Sequence, residues 1–164
     1  MSSSNLFIAD DHTSTGFREA TLDEIMNGAR QALSSRVRRG TLLNSPRLTG
    51  NFLIARLGQR PYETFTLIYL DNRHRMIACE DLFRGTIDGA SVHPREVVKE
   101  ALRHNSAAVI LSHNHPSGVA EPSQADELIT QRLKAALALV DIRVLDHVIV
   151  AGGDTISFAQ RGLL

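Results

Sequence analysis

The chain has 164 residues, 43% apolar and 22% charged, with 18 basic residues against 18 acidic ones and a single cysteine. That length supports one domain with a real core rather than two comfortable ones. The cancelling charge argues against a dedicated nucleic-acid binder. The lone Cys79 rules out an internal disulfide, and no run of about 18 apolar residues is present to span a membrane.

Met1 to Asp11 has neither a basic segment nor an apolar one of the kind that opens a secretory leader, so the expected setting is cytoplasmic. Residues 1–20 are rich in Ser, Thr and Asp without periodicity and read as a mobile tail. From Thr21, the residues Leu22, Ile25, Met26, Ala29, Ala32, Leu33 and Val37 recur at helical spacing, ending near Gly40. The Arg36-Val37-Arg38-Arg39 run at that end reads as a solvated terminus, where cations suit the helix dipole. Ser45 and Pro46 read as an N-cap and a first helical residue, opening a second helix to about Gly58. These helices, over 21–60, are expected to precede a domain over 61–164, packing on it or mediating self-association.

The stretch Glu63 to Leu70 is β-branched and aromatic and stops at the turn residues Asp71-Asn72-Arg73. A second strand, His74 to Phe83, completes a hairpin, with Cys79 read as a core residue. Pro94 to His104 reads as a helix, and Ala107 to Ser112 as a strand buried on both faces. A loop containing Pro116, Gly118 and Pro122 leads to a long helix from Ser123 to Val140. Ile142 to Val150 is a further strand, Gly152-Gly153 a turn, and Thr155 to Phe158 a last short strand. Strands alternating with helices predict a layered α/β domain.

The chemistry concentrates at Ser112-His113-Asn114-His115-Pro116. In extended chain, residues i and i+2 face the same side, so His113 and His115 can reach one ion. Asp126 falls in the first turn of the long helix, where it can face back toward that strand end. Two histidines and a carboxylate leave a fourth position open to water, the pattern of a catalytic zinc rather than a closed structural one. Glu63 is the candidate base, although spacing alone does not bring it to the ion.

Each residue also has a plainer reading. His113 and His115 can be loop histidines, Glu63 a solvated strand start, and Ser123 a helix cap with Asp126 favouring the helix N-terminus. His74, His104, Arg95 and Glu96 are expected in solvent. Asp146 and His147 are expected to pack in the core or at an edge, the alternative being support behind the cleft.

The pattern His113-x-His115-Pro116 followed by Ser123-x-x-Asp126, with a glutamate upstream, resembles the JAMM motif of the MPN-plus metallopeptidases and deubiquitinases. Over about residues 44–164 the chain is most similar to the RadC family, in particular its short prophage-associated branch. The supporting segments include Glu63-Thr64-Phe65, Gly85-Thr86-Ile87, His93-Pro94-Arg95-Glu96-Val97, Pro116-Ser117-Gly118 and Asp146-His147. The resemblance implies a mixed, curved sheet flanked by helices, of the JAB/MPN, cytidine-deaminase-like type. It implies one zinc held by His113, His115 and Asp126, a water activated by Glu63, and Ser123 donating to an oxyanion. The implied reaction is hydrolysis of a peptide or isopeptide bond in a peptide or protein substrate.

Full-length RadC proteins carry a longer N-terminal helical region suggestive of DNA binding, so a DNA-repair role is not transferred to this chain. Asn114 stands where eukaryotic deubiquitinases usually have Ser or Thr. The alternatives are a metal-binding interaction module without turnover, or a DNA-repair accessory. A nucleoside deaminase is set aside, because Cys79 alone cannot supply the paired cysteines those enzymes use.

Overall fold

The structure is a computed structural model that describes residues 6–10, 12–36, 39–85 and 91–164, without the side chains of Arg30 and of residues 33–36. The expected roles of Val37, Arg38, Thr86 and Ile87, and of the Leu33 side chain, therefore lie outside the described residues.

The aperiodic start holds a hairpin, β1 (Phe7–Ala9) pairing antiparallel with β2 (Phe17–Glu19). Strands of three residues are too short to show alternation in a sequence, which is why only a tail was expected there. Helix α1 (Leu22–Arg36) begins with a reciprocal cap, in which the Thr21 N–H donates to Glu24 and the Glu24 N–H to Thr21 Oγ1. Helix α2 (Pro46–Leu57) is capped by Ser45, whose hydroxyl oxygen accepts the Leu48 N–H.

The remaining elements are β3 (Thr64–Leu70), β4 (Met76–Arg84), α3 (Pro94–Arg103), β5 (Ala108–Asn114), α4 (Gln124–Ala138), β6 (Arg143–Ala151), β7 (Asp154–Ser157) and α5 (Phe158–Arg161). The strands form one mixed sheet in the order β4-β3-β5-β6-β7. Among the described residues, only β5 and β6 run parallel, joined by α4; the other neighbours in this sheet are antiparallel. A parallel pair needs a long crossover, and the helix supplies it.

Alternation along the strands builds two cores. On one face Ile68, Ile110, Val148 and Val150 meet Phe52, Leu53 and Leu57 of α2. On the other, Leu67, Tyr69, Val109 and Leu111 meet Val97 and Ala101 of α3 and Leu133 and Leu137 of α4. Fully buried side chains such as Leu67 and Leu111 each contribute about 1.5–3 kcal/mol by leaving water. The fold is thus the expected α/β arrangement, a mixed sheet flanked by helices. Helix α2, grouped by its sequence with the N-terminal helices over 21–60, contributes to the core beneath the sheet.

One histidine expected in solvent is not there. His104 stacks on the Tyr69 ring at 4.2 Å between centroids and lies 3.0 Å from Glu80. Its position at the helix end suggested exposure, but the ring packs against Tyr69 of β3 and meets Glu80 of β4. Cys79 is partly buried against the α2-side core, as expected.

Candidate metal centre

Strand β5 runs two residues past its expected end, so His113 and Asn114 are buried strand residues rather than loop residues. Alternation puts His113 on the α4 side, beyond Val109 and Leu111. His115 follows just after the strand, its N–H donating to the Val150 carbonyl at 2.8 Å. Ser123 caps α4 and Asp126 lies in its first turn. The crossover from β5 into α4 therefore returns Asp126 to the two histidines.

His113 Nε2 lies 2.9 Å from His115 Nε2 and 3.1 Å from Asp126 Oδ1, and His115 Nε2 is 3.6 Å from Asp126 Oδ2. Ligand bonds of about 2.0–2.1 Å to a tetrahedral zinc set neighbouring ligand atoms about 3.3 Å apart, and the three distances bracket that value. The donor chemistry fits as well. His115 Nδ1 lies 2.8 Å from the Val119 carbonyl, which can only accept. That nitrogen therefore carries the proton, and Nε2 presents a lone pair to the cluster. Two imidazole nitrogens and a carboxylate this close call for a cation, or for protons in its place.

The electrostatics carry the same signature. Burial would raise the Asp126 carboxyl, yet His113, His115 and the Ser123 hydroxyl around it hold it far below the ordinary carboxylate range. The Asp126 carboxylate in turn raises His115 above its usual value, against burial, with smaller help from the Val119 carbonyl and the charge of Glu63.

Glu63 and Ser123 line the same cleft of about 620 Å³ as the three ligands. The register explains how Glu63 arrives there. Phe65 pairs with His113 across the antiparallel β3–β5 ladder, and two further residues along each chain bring Glu63 level with His115. Asn114 points the other way and fastens that edge: its Oδ1 accepts the Thr64 N–H at 2.9 Å and its Nδ2 donates to the Tyr62 carbonyl at 3.0 Å. Ser123 takes its capping role in full. Its hydroxyl donates to Asp126 Oδ2 at 2.6 Å and accepts the Asp126 N–H at 3.2 Å. A hydroxyl turned toward Asp126 is not turned toward a bound carbonyl, so an oxyanion role requires it to rotate.

His147 packs in the core, as expected, and there it also contacts a proposed ligand. Its ring is completely buried behind His113, with Nε2 at 2.8 Å from His113 Nδ1 and Nδ1 at 2.6 Å from Thr130 Oγ1. The available signal was a histidine amid the apolar run of a central strand, where an imidazole needs a specific partner. Asp146, its neighbour, is structural: it accepts the Ser157 hydroxyl at 2.6 Å and the Ala159 N–H at 3.0 Å.

A layered α/β sheet whose central strand delivers two histidines to a carboxylate on the following helix is the arrangement of a JAB domain. Residues 43–163 match the RadC-like JAB domain family, and the chain belongs to it. It is 64% identical over 143 residues to a UPF0758 protein of Nitrosococcus oceani, covering 87% of this chain and 64% of that protein. A UPF0758 protein of Thioalkalivibrio sulfidiphilus is 63% identical over 145 residues, covering 88% of this chain and 65% of the relative. The chain thus spans just under two thirds of the length of these relatives. Among the described residues, no helix is long and apolar enough to cross a membrane.

Proposed function

We propose that this protein is a zinc-dependent hydrolase of the JAMM type, cleaving a peptide or isopeptide bond in a peptide or protein substrate. The observation that carries the reading is the convergence of His113, His115 and Asp126 beside a cleft that Glu63 also lines. A bound Zn²⁺ supplies Lewis acidity, polarising a carbonyl and bringing the pKa of a water down to about 7. The protein's part is to hold one ion through His113 Nε2, His115 Nε2 and Asp126 Oδ1, and to seat the scissile carbonyl in the cleft.

Glu63 takes a proton as the water oxygen adds to the carbonyl carbon, then delivers it to the leaving nitrogen as the C–N bond breaks. Ser123, once its hydroxyl turns from Asp126, donates to the oxygen that gains charge. A cytoplasmic setting accords with the single, partly buried Cys79.

The reciprocal cap between Ser123 and Asp126 favours one alternative, a metal-stabilised interaction module without turnover, because it accounts for Ser123 structurally. Glu63→Gln separates the two. With a library of peptides and isopeptides, the hydrolase reading expects zinc-dependent cleavage by the native chain and a variant that keeps its zinc but loses turnover. Undiminished cleavage by the variant would contradict the role of Glu63. No zinc-dependent cleavage by the native chain would favour the module.

A further inference from the structure

We propose that His147, backed by Thr130, is a positioning residue that fixes the tautomer and ring orientation of His113 for metal binding. The inference rests on the metal-site reading above and concerns residues outside the ligand set. Four groups form a chain. The Thr130 hydroxyl lies 2.5 Å from the Asp126 carbonyl and 2.6 Å from His147 Nδ1, and His147 Nε2 lies 2.8 Å from His113 Nδ1.

The carbonyl sets the direction of every bond in that chain. It can only accept, so Thr130, with a single hydroxyl proton, donates to it. The Thr130 oxygen must then accept from His147 Nδ1, which therefore carries hydrogen. A neutral His147 is left with a lone pair at Nε2, and it accepts from His113 Nδ1–H. His113 Nε2 is consequently bare, and it is the atom that faces His115 and Asp126. In the reverse direction, Thr130 would donate to His147. That would leave two oxygens 2.5 Å apart with no hydrogen between them, and it would put a proton on His113 Nε2, inside the metal site.

The surroundings make the chain rigid. The His147 ring packs against the Phe65 and Phe158 rings, at 5.6 Å and 4.8 Å between centroids, and Phe65 also stacks on His113 at 6.2 Å and 10°. Full burial disfavours a charged imidazole there. Asp126 acts at both ends, its carbonyl orienting the chain and its carboxylate facing His113 Nε2 and His115 Nε2, the atoms that would hold the ion. Thr130 sits one helical turn beyond it on α4. A metal-binding histidine generally needs such a partner on its other nitrogen, and losing one typically weakens metal affinity about 10–100-fold.

The test combines zinc affinity, from chelator competition, with ¹⁵N imidazole NMR. His147→Phe, which keeps an aromatic ring but no hydrogen bond, is expected to weaken zinc binding about 10–100-fold. His147→Gln, which can accept from His113 and donate to Thr130, is expected to recover most of that loss. In the native chain, His147 is expected to carry its proton on Nδ1. A proton on Nε2 instead, or a folded His147→Phe that binds zinc as tightly as the native chain, would overturn the inference and leave the metal site standing. If His147→Phe does not fold, Thr130→Val and the native spectrum decide. No zinc uptake by the native chain would instead remove the reading beneath it.

Discussion

Asn114 holds the backbone on both sides of Glu63, accepting from the Thr64 N–H and donating to the Tyr62 carbonyl. One carboxamide thus ties the end of the ligand-bearing strand to the residue proposed as base. Asn114→Ala would leave a buried N–H without its partner, at a cost of about 1–3 kcal/mol. The three ligands are untouched by this change. The expected result is a lower urea midpoint with zinc stoichiometry retained. An unchanged midpoint would mean that the bracket is not rigid.

Zinc affinity should fall on acidification. Chiefly through its contact with Asp126, His115 has a pKa raised above the usual imidazole value in the metal-free chain. A raised value means that the proton competes with the ion from a higher pH. Above that value the nitrogen is bare and binding is at its strongest; below it the affinity is lost, by about tenfold per pH unit for each proton displaced. Chelator competition between about pH 8 and pH 5.5 checks this. Affinity independent of pH across that range would contradict the ligand assignment.

Two glycines should respond in opposite directions. A Cβ on Gly58, at the end of α2, would lie 2.4 Å from the Gly152 carbonyl oxygen and 2.7 Å from that of Ile54. Both are backbone atoms, so Gly58→Ala is expected to destabilise by about 1–3 kcal/mol. Gly28, inside α1, has open space around it, and Gly28→Ala is expected to stabilise that helix by up to about 1 kcal/mol. Equilibrium unfolding of both variants measures the contrast. A neutral Gly58→Ala would show that the approach of α2 to the β6–β7 turn relaxes freely.

The Cys79 thiol should react slowly in the native protein. Burial, ahead of the charges nearby, pushes its pKa up to about 12. At pH 8 its thiolate fraction is then of order 10⁻⁴, against roughly a quarter for an unperturbed thiol. Labelling with a disulfide reagent is expected to be at least about 100-fold slower in buffer than in denaturant. Equal rates would place the thiol in solvent.

Much of the site was legible because its residues obey local rules. His113 and His115 share a side through the alternation of a strand, and Ser45, Pro46 and Ser123 mark helix starts through capping chemistry. What stayed hidden depended on long-range pairing. Glu63 comes to the cleft that His115 lines through the β3–β5 pairing, whose antiparallel sense no spacing along one chain reveals. The partner of His147 is likewise 34 residues away, so in sequence it reads as an ordinary core position. The stacking of His104 on Tyr69 had the same origin, because its partners Tyr69 and Glu80 lie on β3 and β4, distant in sequence.

The most direct measurement is the metal content of untagged, purified protein by mass spectrometry, for the native chain and for His115→Ala and Asp126→Ala. Close to one zinc per native chain is expected, lost in both variants while each remains folded. A native chain that carries no metal and takes up no added zinc would contradict it, leaving a helix cap, one buried histidine and one half-buried one in place of a metal centre.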